Sequence, residues 1–395
     1  MYPESVIRRV QRMRSSFSHL TLGGTSNSSI LLFGRNVWLS DTVVSCFIRY
    51  EGSAQTFSLR MYHLRRVLFA AALFCGAILL KMSRYTIIMD VVRPSGSHIM
   101  EFRNRAIQYK FLLLPNLSQC REPEAVLVAV VLSTVERFGT REVIRKTWAS
   151  SKRSKAMKDK HVAVYFIIAA PKYDYDMKRL LAEQEQYNDL IVTDVEESYE
   201  NLVLKVYSLM VFFQQYCFTA SFLMKVDDDV VIHLDRMFSR WIVTDDDENS
   251  IFCIVWPQHQ PIRDPRNKWY ISEEKWSKKF YPDYCDGPIY VIGRHAVNKI
   301  IEHTKNFDPF PFEDVFYTGI VASSADVPRV NWSDGVLITD EYLWKGRIAC
   351  ENQYTPLTFV ISSFTTALGA MEAFRRLHIY TCIYIRPGNY SMDGY

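Results

Sequence analysis

Residues 222–230 read FLMKVDDDV, a strongly apolar run that ends in the adjacent aspartates Asp227 to Asp229 and returns at once to an apolar residue. The flanking hydrophobic residues draw the three carboxylates to the edge of a core. Adjacent anions in that position repel one another and are costly to desolvate unless their charge is compensated. A hard divalent cation compensates it and can also bind the diphosphate of a nucleotide. The run therefore predicts a buried strand that carries a metal site at its carboxyl end.

The three aspartates cannot all contact one ion, because successive side chains of an extended chain point in opposite directions. We expect Asp227 to contact the nucleotide and Asp228 or Asp229 to lie nearest the metal. A cap at the start of a helix around Asp229 is the structural alternative, since carboxylates are favoured at helix N-termini.

The acidic run ends the fourth strand in a series of alternating strands and helices. The candidate strands are 126–132, 161–169, 190–193 and 222–226, and the candidate helices are 141–149, 176–187 and 199–216. This alternation predicts an α/β fold with a mostly parallel sheet covered on both faces. Ligands bind beyond the carboxyl ends of the strands in such sheets, which is where the aspartates stand. A second acidic cluster, at 245–248, reads as a solvated turn.

Another acidic motif, Glu313-Asp314, follows the run Phe310-Pro311-Phe312. An apolar setting raises the pKa of a carboxyl group, which suits a general base that works near neutral pH. Read alone, the pair is more typical of a helix N-terminus. It indicates chemistry only beside the three aspartates.

One segment predicts a membrane anchor. Val67 to Leu80 reads VLFAAALFCGAILL, fourteen residues without a charge between Arg66 and Lys81. A spanning helix needs roughly 17–25 apolar residues, but flanking basic side chains can extend a short run by snorkelling. The basic residues after Leu80 fit a cleavage site poorly, which favours an uncleaved anchor over a signal peptide. A buried core helix is the remaining alternative.

The chain is expected to contain four regions. Residues 1–64 form an N-terminal tail, which is either cytoplasmic or a result of the choice of start codon, and residues 65–89 form a signal anchor. Residues 90–119 are expected to be a stem, and residues 120–395 a lumenal catalytic domain.

The cysteines and the composition limit which compartment and which classes of partner we expect. Six of the eight cysteines follow the anchor at spacings that match no zinc pattern, and they permit up to three disulfides in an oxidising lumen. Sequons at Asn116, Asn331 and Asn389 lie on the same side. A hydrophobic fraction of 48% excludes wholesale disorder. The net charge of +4, without a basic run interleaved with aromatics, gives no reason to expect nucleic acid.

Five segments, in order along the chain, carry a family resemblance. They are Arg141–Trp148 (REVIRKTW), Glu197–Lys205 (ESYENLVLK), Lys225–Val230 (KVDDDV), Tyr281–Gly287 (YPDYCDG) and Glu313–Gly319 (EDVFYTG). Together they resemble motifs of the β1,3-galactosyltransferase family, glycosyltransferase family 31, which includes the Brainiac- and Fringe-related enzymes. The resemblance covers about residues 120–350. Single motifs are weak signals, but five in family order are specific.

The resemblance implies a GT-A fold, which is Rossmann-like, behind the N-terminal transmembrane helix. It implies inverting transfer of a hexose from a UDP-sugar, with UDP-galactose the first choice, in the presence of Mn²⁺. The acceptor would be a glycan on a glycoprotein or glycolipid, joined by a β1,3 linkage. The location would be the Golgi membrane, in single-pass type II orientation. Whether the protein forms a homo-oligomer is left open.

The family's site residues fall on matching positions here. The resemblance implies Asp314 as the catalytic base, with Glu313 as a neighbour that orients substrate, and metal contacts from Asp228 and Asp229. Donor binding is expected from four residues, which are Arg141, Arg145, Lys225 and Asp227. Trp148 suits either donor binding or the core.

Departures from the family pattern bear on the acceptor more than on the donor. Glu197 replaces an aspartate, and Pro288-Ile289 stand where small residues are common. Ile289 cannot adopt the positive-φ conformations of glycine cheaply, so the acceptor loop is expected to differ. N-acetylgalactosamine and N-acetylglucosamine remain alternative sugars. Three other classes also remain: a degenerate sugar-binding homologue, a metal-dependent phosphoryl-transfer enzyme, and a glycosidase with two carboxylates, which would need no metal.

Overall fold

The computed structural model describes residues 96–240, 247–337, 350–351, 355–356, 359–362 and 364–379, together with residues 69, 74 and 76. The described residues from 96 onward belong to one compact unit. Within these ranges no helix combines the length and the apolar character needed to cross a bilayer. The predicted tail at 1–64 and almost all of the predicted anchor at 65–89 lie outside the described residues.

The strands are short except in the middle of the main sheet. They are β1 (His98–Phe102), β2 (Arg105–Tyr109), β3 (Phe111–Leu113), β4 (Leu127–Leu132), β5 (Val162–Ala170), β6 (Leu190–Glu196), β7 (Phe222–Asp227), β8 (Val231–Ile232), β9 (Ile251–Cys253), β10 (Val255–Trp256), β11 (Tyr284–Cys285), β12 (Ile289–Gly293), β13 (Arg329–Asn331), β14 (Val336–Leu337), β15 (Cys350–Glu351), β16 (Thr355–Pro356) and β17 (Val360–Ile361).

The helices alternate with the first strands of the main sheet and then become less regular. They are α1 (Phe138–Lys146), α2 (Lys155–Lys158), α3 (Asp174–Tyr187), α4 (Leu202–Tyr216), α5 (Leu234–Arg240), α6 (Arg294–His303), α7 (Ala322–Ser324) and α8 (Ala367–Ile379). A π-helical segment, Val315–Val321, leads into α7. Single 3₁₀ turns lie at Gln119–Arg121, Val135–Arg137, Asp247–Asn249 and Thr304–Asn306.

The main sheet has eight strands in the order β13-β9-β12-β7-β4-β5-β6-β3. The pairs β4–β5, β4–β7, β5–β6 and β13–β9 are parallel, whereas β12 and β3 run antiparallel to their neighbours. The predicted α/β fold is confirmed, but the sheet is mixed: four of its seven strand pairs are parallel and three are antiparallel. The four predicted strands correspond to β4 to β7, and the three predicted helices to α1, α3 and α4, with shifts of a few residues at their ends.

The chain reverses its direction across the sheet between β4 and β7. The order β4, β5, β6 adds strands on one side, and β7 then returns to the other side of β4, where Asp227 pairs with Leu132. The carboxyl ends of β4 and β7 therefore flank the crevice in which ligands of α/β sheets bind. The fold places the three aspartates at this crevice.

Continuous apolar runs explain why these strands form the centre of the molecule. All six residues of β4 are buried, as are the first eight residues of β5, because helices cover both faces of a parallel sheet. The helix α4 buries ten of its fifteen residues. The core therefore extends from the sheet into α4 and continues beyond it.

The region at 90–119, predicted to be a stem, needs correction. The strands β1 and β2 form a hairpin, and β3 pairs with β6 at the edge of the main sheet. Met100, Phe102 and Tyr109 are buried in the same core as the helices. Residues 98–113 are therefore part of the folded domain, which begins before the predicted boundary at 120.

Two disulfides brace the domain. Cys120 is bonded to Cys217, which joins the turn before β4 to the end of α4. Cys253 is bonded to Cys285, which joins the end of β9 to β11. Cys382 lies outside the described residues.

Candidate active site

The backbone at the end of β7 is held in place from two sides. The Asp227 amide donates a hydrogen bond to the carbonyl of Pro288, 2.9 Å away. The indole Nε1 of Trp148 donates to the carbonyl of Val230 at 3.2 Å, and Trp148 is only 1% exposed. Trp148 is thus a core residue that fixes the turn carrying the aspartates.

Asp228 is occupied by partners from the protein. Its Oδ2 accepts hydrogen bonds from the hydroxyl of Ser133 at 2.9 Å and from Nε of Arg137 at 2.7 Å. Burial raises the pKa of Asp228, while Arg137 and Ser133 act in the opposite direction. The structure therefore ties Asp228 to the loop after β4, where it shapes the site.

Asp229 is the carboxylate that lacks compensation. Its Oδ1 is buried and has no hydrogen-bond partner in the described part of the chain. Burial, followed by the neighbouring charges of Asp227 and Asp228, raises the pKa of Asp229 to about 6. A buried carboxylate oxygen without a donor is costly, and a bound cation would satisfy it.

The residues present fit a divalent cation that is completed by its substrate. Among the described residues no three His, Cys, Asp or Glu side chains cluster closely enough to hold an ion by themselves. Asp229, with help from Asp227, offers hard oxygen ligands, which Mg²⁺ and Mn²⁺ prefer together with phosphate oxygens and water. The donor set therefore suits an ion shared between the protein and a diphosphate.

Lys225 connects the two acidic motifs. Its ammonium, on a side chain 2% exposed, donates to Asp227 Oδ1 and to the carbonyl of Gly287, both at 2.6 Å. It also lies 3.1 Å from Glu313 Oε1. Burial alone would lower the pKa of Lys225, but the carboxylates of Asp227 and Glu313 raise it above its ordinary value. Lys225 is a buried cation that contacts one carboxylate of each acidic motif, Asp227 and Glu313, and so holds the two motifs together.

Glu313 is buried, and both of its carboxylate oxygens have a partner. Its Oε2 accepts a hydrogen bond of 2.5 Å from the hydroxyl of Tyr290 on β12, and its Oε1 faces Lys225. Burial raises the pKa of Glu313, and Lys225 opposes the rise. These contacts fit a residue that positions its neighbour.

Asp314 stands next to it at the N-terminus of the π-helical segment. Its Oδ1 accepts a hydrogen bond of 2.7 Å from the amide of Val315. Burial, and then the charge of Glu313, raises the pKa of Asp314 to about 7. A Cβ atom added to Gly287 would lie only 3.0 Å from Asp314 Oδ2, so a larger residue there would press on this carboxylate. Asp314 is a carboxyl group ready to exchange a proton near neutral pH.

One cavity of about 600 Å³ joins these groups. Its charged wall includes Lys225, Asp227, Asp229, Lys268, Asp286, Glu313 and Asp314. Its aromatic wall consists of Tyr199, Trp256, Trp269, Tyr281 and Tyr284. The volume and the mixture of aromatic walls with a few polar groups are those of a small-molecule site. The two acidic motifs, 84 or more positions apart in the chain, thus share one site.

Arg141 and Arg145, predicted to bind the donor, point into the protein. Arg141 is 1% exposed and binds Glu183 at 2.8 and 2.6 Å. Arg145 pairs with Asp189 and Glu183 at 2.7–2.8 Å. Neither guanidinium lines the cavity that contains the aspartates. Their geometry is therefore that of a buried ion-pair network, and it does not support direct contact with a donor.

Arg141 nevertheless acts on the site through Ser133. Its Nη1 donates to the hydroxyl of Ser133 at 3.0 Å, and that hydroxyl donates to Asp228. Lys205, buried in α4, donates to the carbonyl of Ser133 at 2.7 Å and to Glu197 at 2.9 Å. The motif at 197–205 therefore supports the loop after β4, and glutamate at position 197 keeps the ion pair.

Sequence reasoning missed Ser133 and Arg137. Both follow directly after β4, and their place at the carboxyl end of a strand beside β7 was the available signal.

The expectation that Ile289 stands where a positive φ is needed is wrong. Ile289 pairs with Val226 in regular antiparallel geometry and is not among the described non-glycine residues with positive φ.

Comparisons with known proteins show what the chain is similar to. Residues 139–333, which contain all five motifs, match the family model for Galactosyltransferase. Human β-1,3-galactosyltransferase 5 is 26% identical over 255 residues, covering 64% of this chain and 77% of that protein. Caenorhabditis elegans β-1,3-galactosyltransferase bre-2 is 28% identical over 230 residues, covering 56% of this chain and 62% of that protein.

One further relative is named for a different sugar. Xenopus tropicalis lactosylceramide 1,3-N-acetyl-β-D-glucosaminyltransferase is 28% identical over 244 residues, covering 60% of this chain and 64% of that protein. A solved galactosyltransferase, LgtC in complex with donor and acceptor sugar analogues, is 12% identical and covers 64% of this chain and 95% of that chain. Its TM-score of 0.34 is too low to support a conclusion. The sequence match over residues 139–333 and the curated relatives support the β1,3-galactosyltransferase family for this chain, and they show that it is a hexosyltransferase.

Proposed function

We propose that this protein transfers a hexose, galactose first, from a UDP-sugar to a glycan hydroxyl with inversion, forming a β1,3 linkage. The observation that carries the proposal is the shared cavity, in which an uncompensated metal-type carboxylate and a base-type carboxylate face the same space. We interpret the α/β sheet as the GT-A fold of this family.

The donor end of the site is built around Asp229 and Asp227. A divalent cation held there, which we propose is Mn²⁺, would supply the positive charge that stabilises a departing diphosphate. Asp228, bound by Arg137 and Ser133, orients the strand end. Lys225 keeps Asp227 in position and adds a buried positive charge near it.

The acceptor end is built around Asp314. The acceptor hydroxyl oxygen forms a bond to the anomeric carbon while the bond from that carbon to the diphosphate oxygen breaks, and the electron pair leaves with UDP. The hydroxyl proton passes to the carboxylate of Asp314, whose raised pKa makes it a competent acceptor near neutral pH. Attack from the face opposite the leaving group inverts the anomeric centre. Glu313, fixed by Tyr290 and Lys225, keeps Asp314 in place.

The identity of the sugar is the second part of the proposal. Galactose is favoured because the family model and two of the relatives above carry galactosyltransferase names. N-acetylglucosamine is the alternative, since one relative of similar identity is named for that sugar. These sugars differ by small substituents, so the shape of the pocket decides between them.

We also propose that the enzyme works in the Golgi lumen, anchored by residues 65–89. The two disulfides support an oxidising compartment. Transfer to glycans on glycoproteins or glycolipids fits the family.

UDP release by the full chain, solubilised in detergent, tests the proposal. The protein is incubated with each UDP-sugar in turn, with Mn²⁺ and a mixture of glycan acceptors. We expect release from one sugar only, loss of release in EDTA, and loss in the Asp314→Asn variant. An Asp308→Asn variant is the matched control, because that carboxyl side chain is 64% exposed and lies outside the cavity. Normal release by Asp314→Asn would reject the assignment of the base.

A further inference from the structure

A second cavity of about 600 Å³ adjoins the candidate active site. The two cavities share Tyr199, Lys268, Pro311 and Phe312 in their walls. Asp314 lies only in the first cavity, two positions after Phe312 in the chain. A ligand that extends away from Asp314 past this common wall would therefore enter the second cavity.

The second cavity carries an excess of positive charge. Its walls contain the cationic side chains of Arg105, Lys268 and Lys275, against one carboxylate, Glu200. Across the described ranges none of the three cations has a carboxylate within ion-pair distance. The ammonium of Lys268 lies over the ring of Trp269, 4.2 Å from its centroid. The cations are therefore available to an external anion.

The acidic residues close to these cations in the chain do not cancel the excess. Glu273 and Glu274 directly precede Lys275, but both are exposed and neither lines the second cavity. Asp264 is bound by Arg266 at 2.9 Å, outside both cavities. The lining of the second cavity therefore keeps three cationic side chains against one carboxylate.

The remaining surface of the second cavity suits a sugar. Phe310 and Phe312 are buried and give an apolar floor. The rings of Tyr199 and Tyr270 stand on its wall with 51% and 38% of their surface exposed. Apolar and aromatic walls with a few charged groups that fix orientation are typical of small-ligand sites.

We propose that the second cavity binds an anionic group of the acceptor glycan, a carboxylate or a sulfate ester, while the reacting hydroxyl lies beside Asp314. This inference rests on the proposed function and names its acceptor class. Arg105 and Lys275 belong to the second cavity alone, so they report on the acceptor without touching the donor site.

The test compares three acceptors that share one reducing-end disaccharide. One is neutral, one carries a uronate carboxylate on the next sugar, and one carries a sulfate ester there. UDP release by the full chain gives the KM of each acceptor with the donor sugar held constant. The wild type is expected to prefer an anionic acceptor by about 3- to 10-fold in KM, since exposed ion pairs contribute modestly. The preference should fall as NaCl rises, because salt screens exposed charges.

Two variants and one control decide the outcome. Arg105→Gln and Lys275→Gln are made singly and together. They are expected to bring the ratio of the neutral-acceptor KM to the anionic-acceptor KM close to one, while kcat for the neutral acceptor stays the same. Lys178→Gln, an exposed lysine on α3 outside both cavities, is expected to keep the wild-type preference. Preference for the uronate alone or for the sulfate alone would identify which anion the second cavity takes.

The failures of the two proposals are distinguishable. Turnover of the neutral acceptor with no anionic preference in the wild type, or a preference that survives the double variant, would overturn the inference and leave the proposed function standing. Absence of UDP release with every donor and all three acceptors would overturn the proposed function and the inference with it.

Discussion

Asp314→Asn is expected to stop turnover and also to make the folded protein more stable above neutral pH. Burial, and then the charge of Glu313, raises the pKa of Asp314 from 3.8 to about 7. Between these two values the folded state binds more protons than the unfolded state. The free energy of unfolding therefore falls as the pH rises through this window, and above it the destabilisation by the ionised carboxylate is complete.

The size of the effect follows from the same pKa. One pKa unit corresponds to about 1.36 kcal/mol, so the ionised Asp314 destabilises the fold by at most about 4 kcal/mol. Asparagine has the same shape, can accept the hydrogen bond from the amide of Val315 through its oxygen, and carries no charge. The gain in stability over the wild type is expected to grow by about 2–3 kcal/mol between pH 5 and pH 8.

Urea unfolding at several pH values, in EDTA, measures this gain. Asp308→Asn is the control, since removing an exposed carboxylate should shift the unfolding midpoint little at any pH. In parallel, UDP release by Asp314→Asn should fall by about 10²- to 10⁴-fold, the usual contribution of a general base, while UDP affinity stays near the wild-type value. If Asp314→Asn and the wild type differed in stability by the same amount at pH 5 and pH 8, the reasoning would be refuted. That result would show that ionisation of Asp314 does not destabilise the folded protein.

Three further predictions concern the supports of the site. Asp229→Asn is expected to weaken Mn²⁺-dependent UDP binding by at least about tenfold, since its buried oxygen lacks a partner in the described chain; calorimetry with and without EDTA checks this, and unchanged affinity would remove Asp229 from the metal site. Lys225→Met should lower the free energy of unfolding by about 3–5 kcal/mol, because it leaves buried carboxylates without their cation; a loss under about 1 kcal/mol in urea would contradict this. Replacing Cys120 and Cys217 together by serine opens a link across 97 positions and should cost about 2–5 kcal/mol; identical unfolding midpoints in non-reducing buffer would show the bond to be dispensable.

The central strands could be predicted from sequence because burial on both faces demands continuous apolar runs. The strands β4, β5 and β7 are such runs, and their boundaries moved by only a residue or so. The short strands β9 to β13 could not be found in this way, since two to five residues carry too little periodicity and their pairing is set by distant partners.

The hairpin at 98–109 carries a strand signal in its sequence. Met100 and Phe102 in β1, and Ile107 and Tyr109 in β2, alternate with more polar residues, the pattern of a strand with one buried face. Alternation in so short a segment predicts a strand only when another part of the fold covers its apolar face. Here the core covers Met100, Phe102 and Tyr109.

The two acidic motifs were recognisable, but the partners that their members bind were not. Asp228 is bound by Arg137, 91 positions away, and Lys225 binds the carbonyl of Gly287, 62 positions away. Contacts at such separations follow from topology and leave no local trace. The buried ion pairs of Arg141 and Arg145 are the same case, because Glu183 and Asp189 carry no motif that names them as partners.

The distribution of cations separates the carboxylates that shape the site from those that are free to react. Arg137 compensates Asp228, and Lys225 compensates Asp227 and Glu313. Within the described part of the chain, Asp229 and Asp314 have no cation at ion-pair distance, and their pKa values are raised to about 6 and about 7, chiefly by burial. A protein could lower this cost by adding one more basic residue on the wall. Leaving both carboxylates uncompensated is explained if a metal ion satisfies one and the proton of an acceptor hydroxyl satisfies the other, since each ligand arrives only with the substrates.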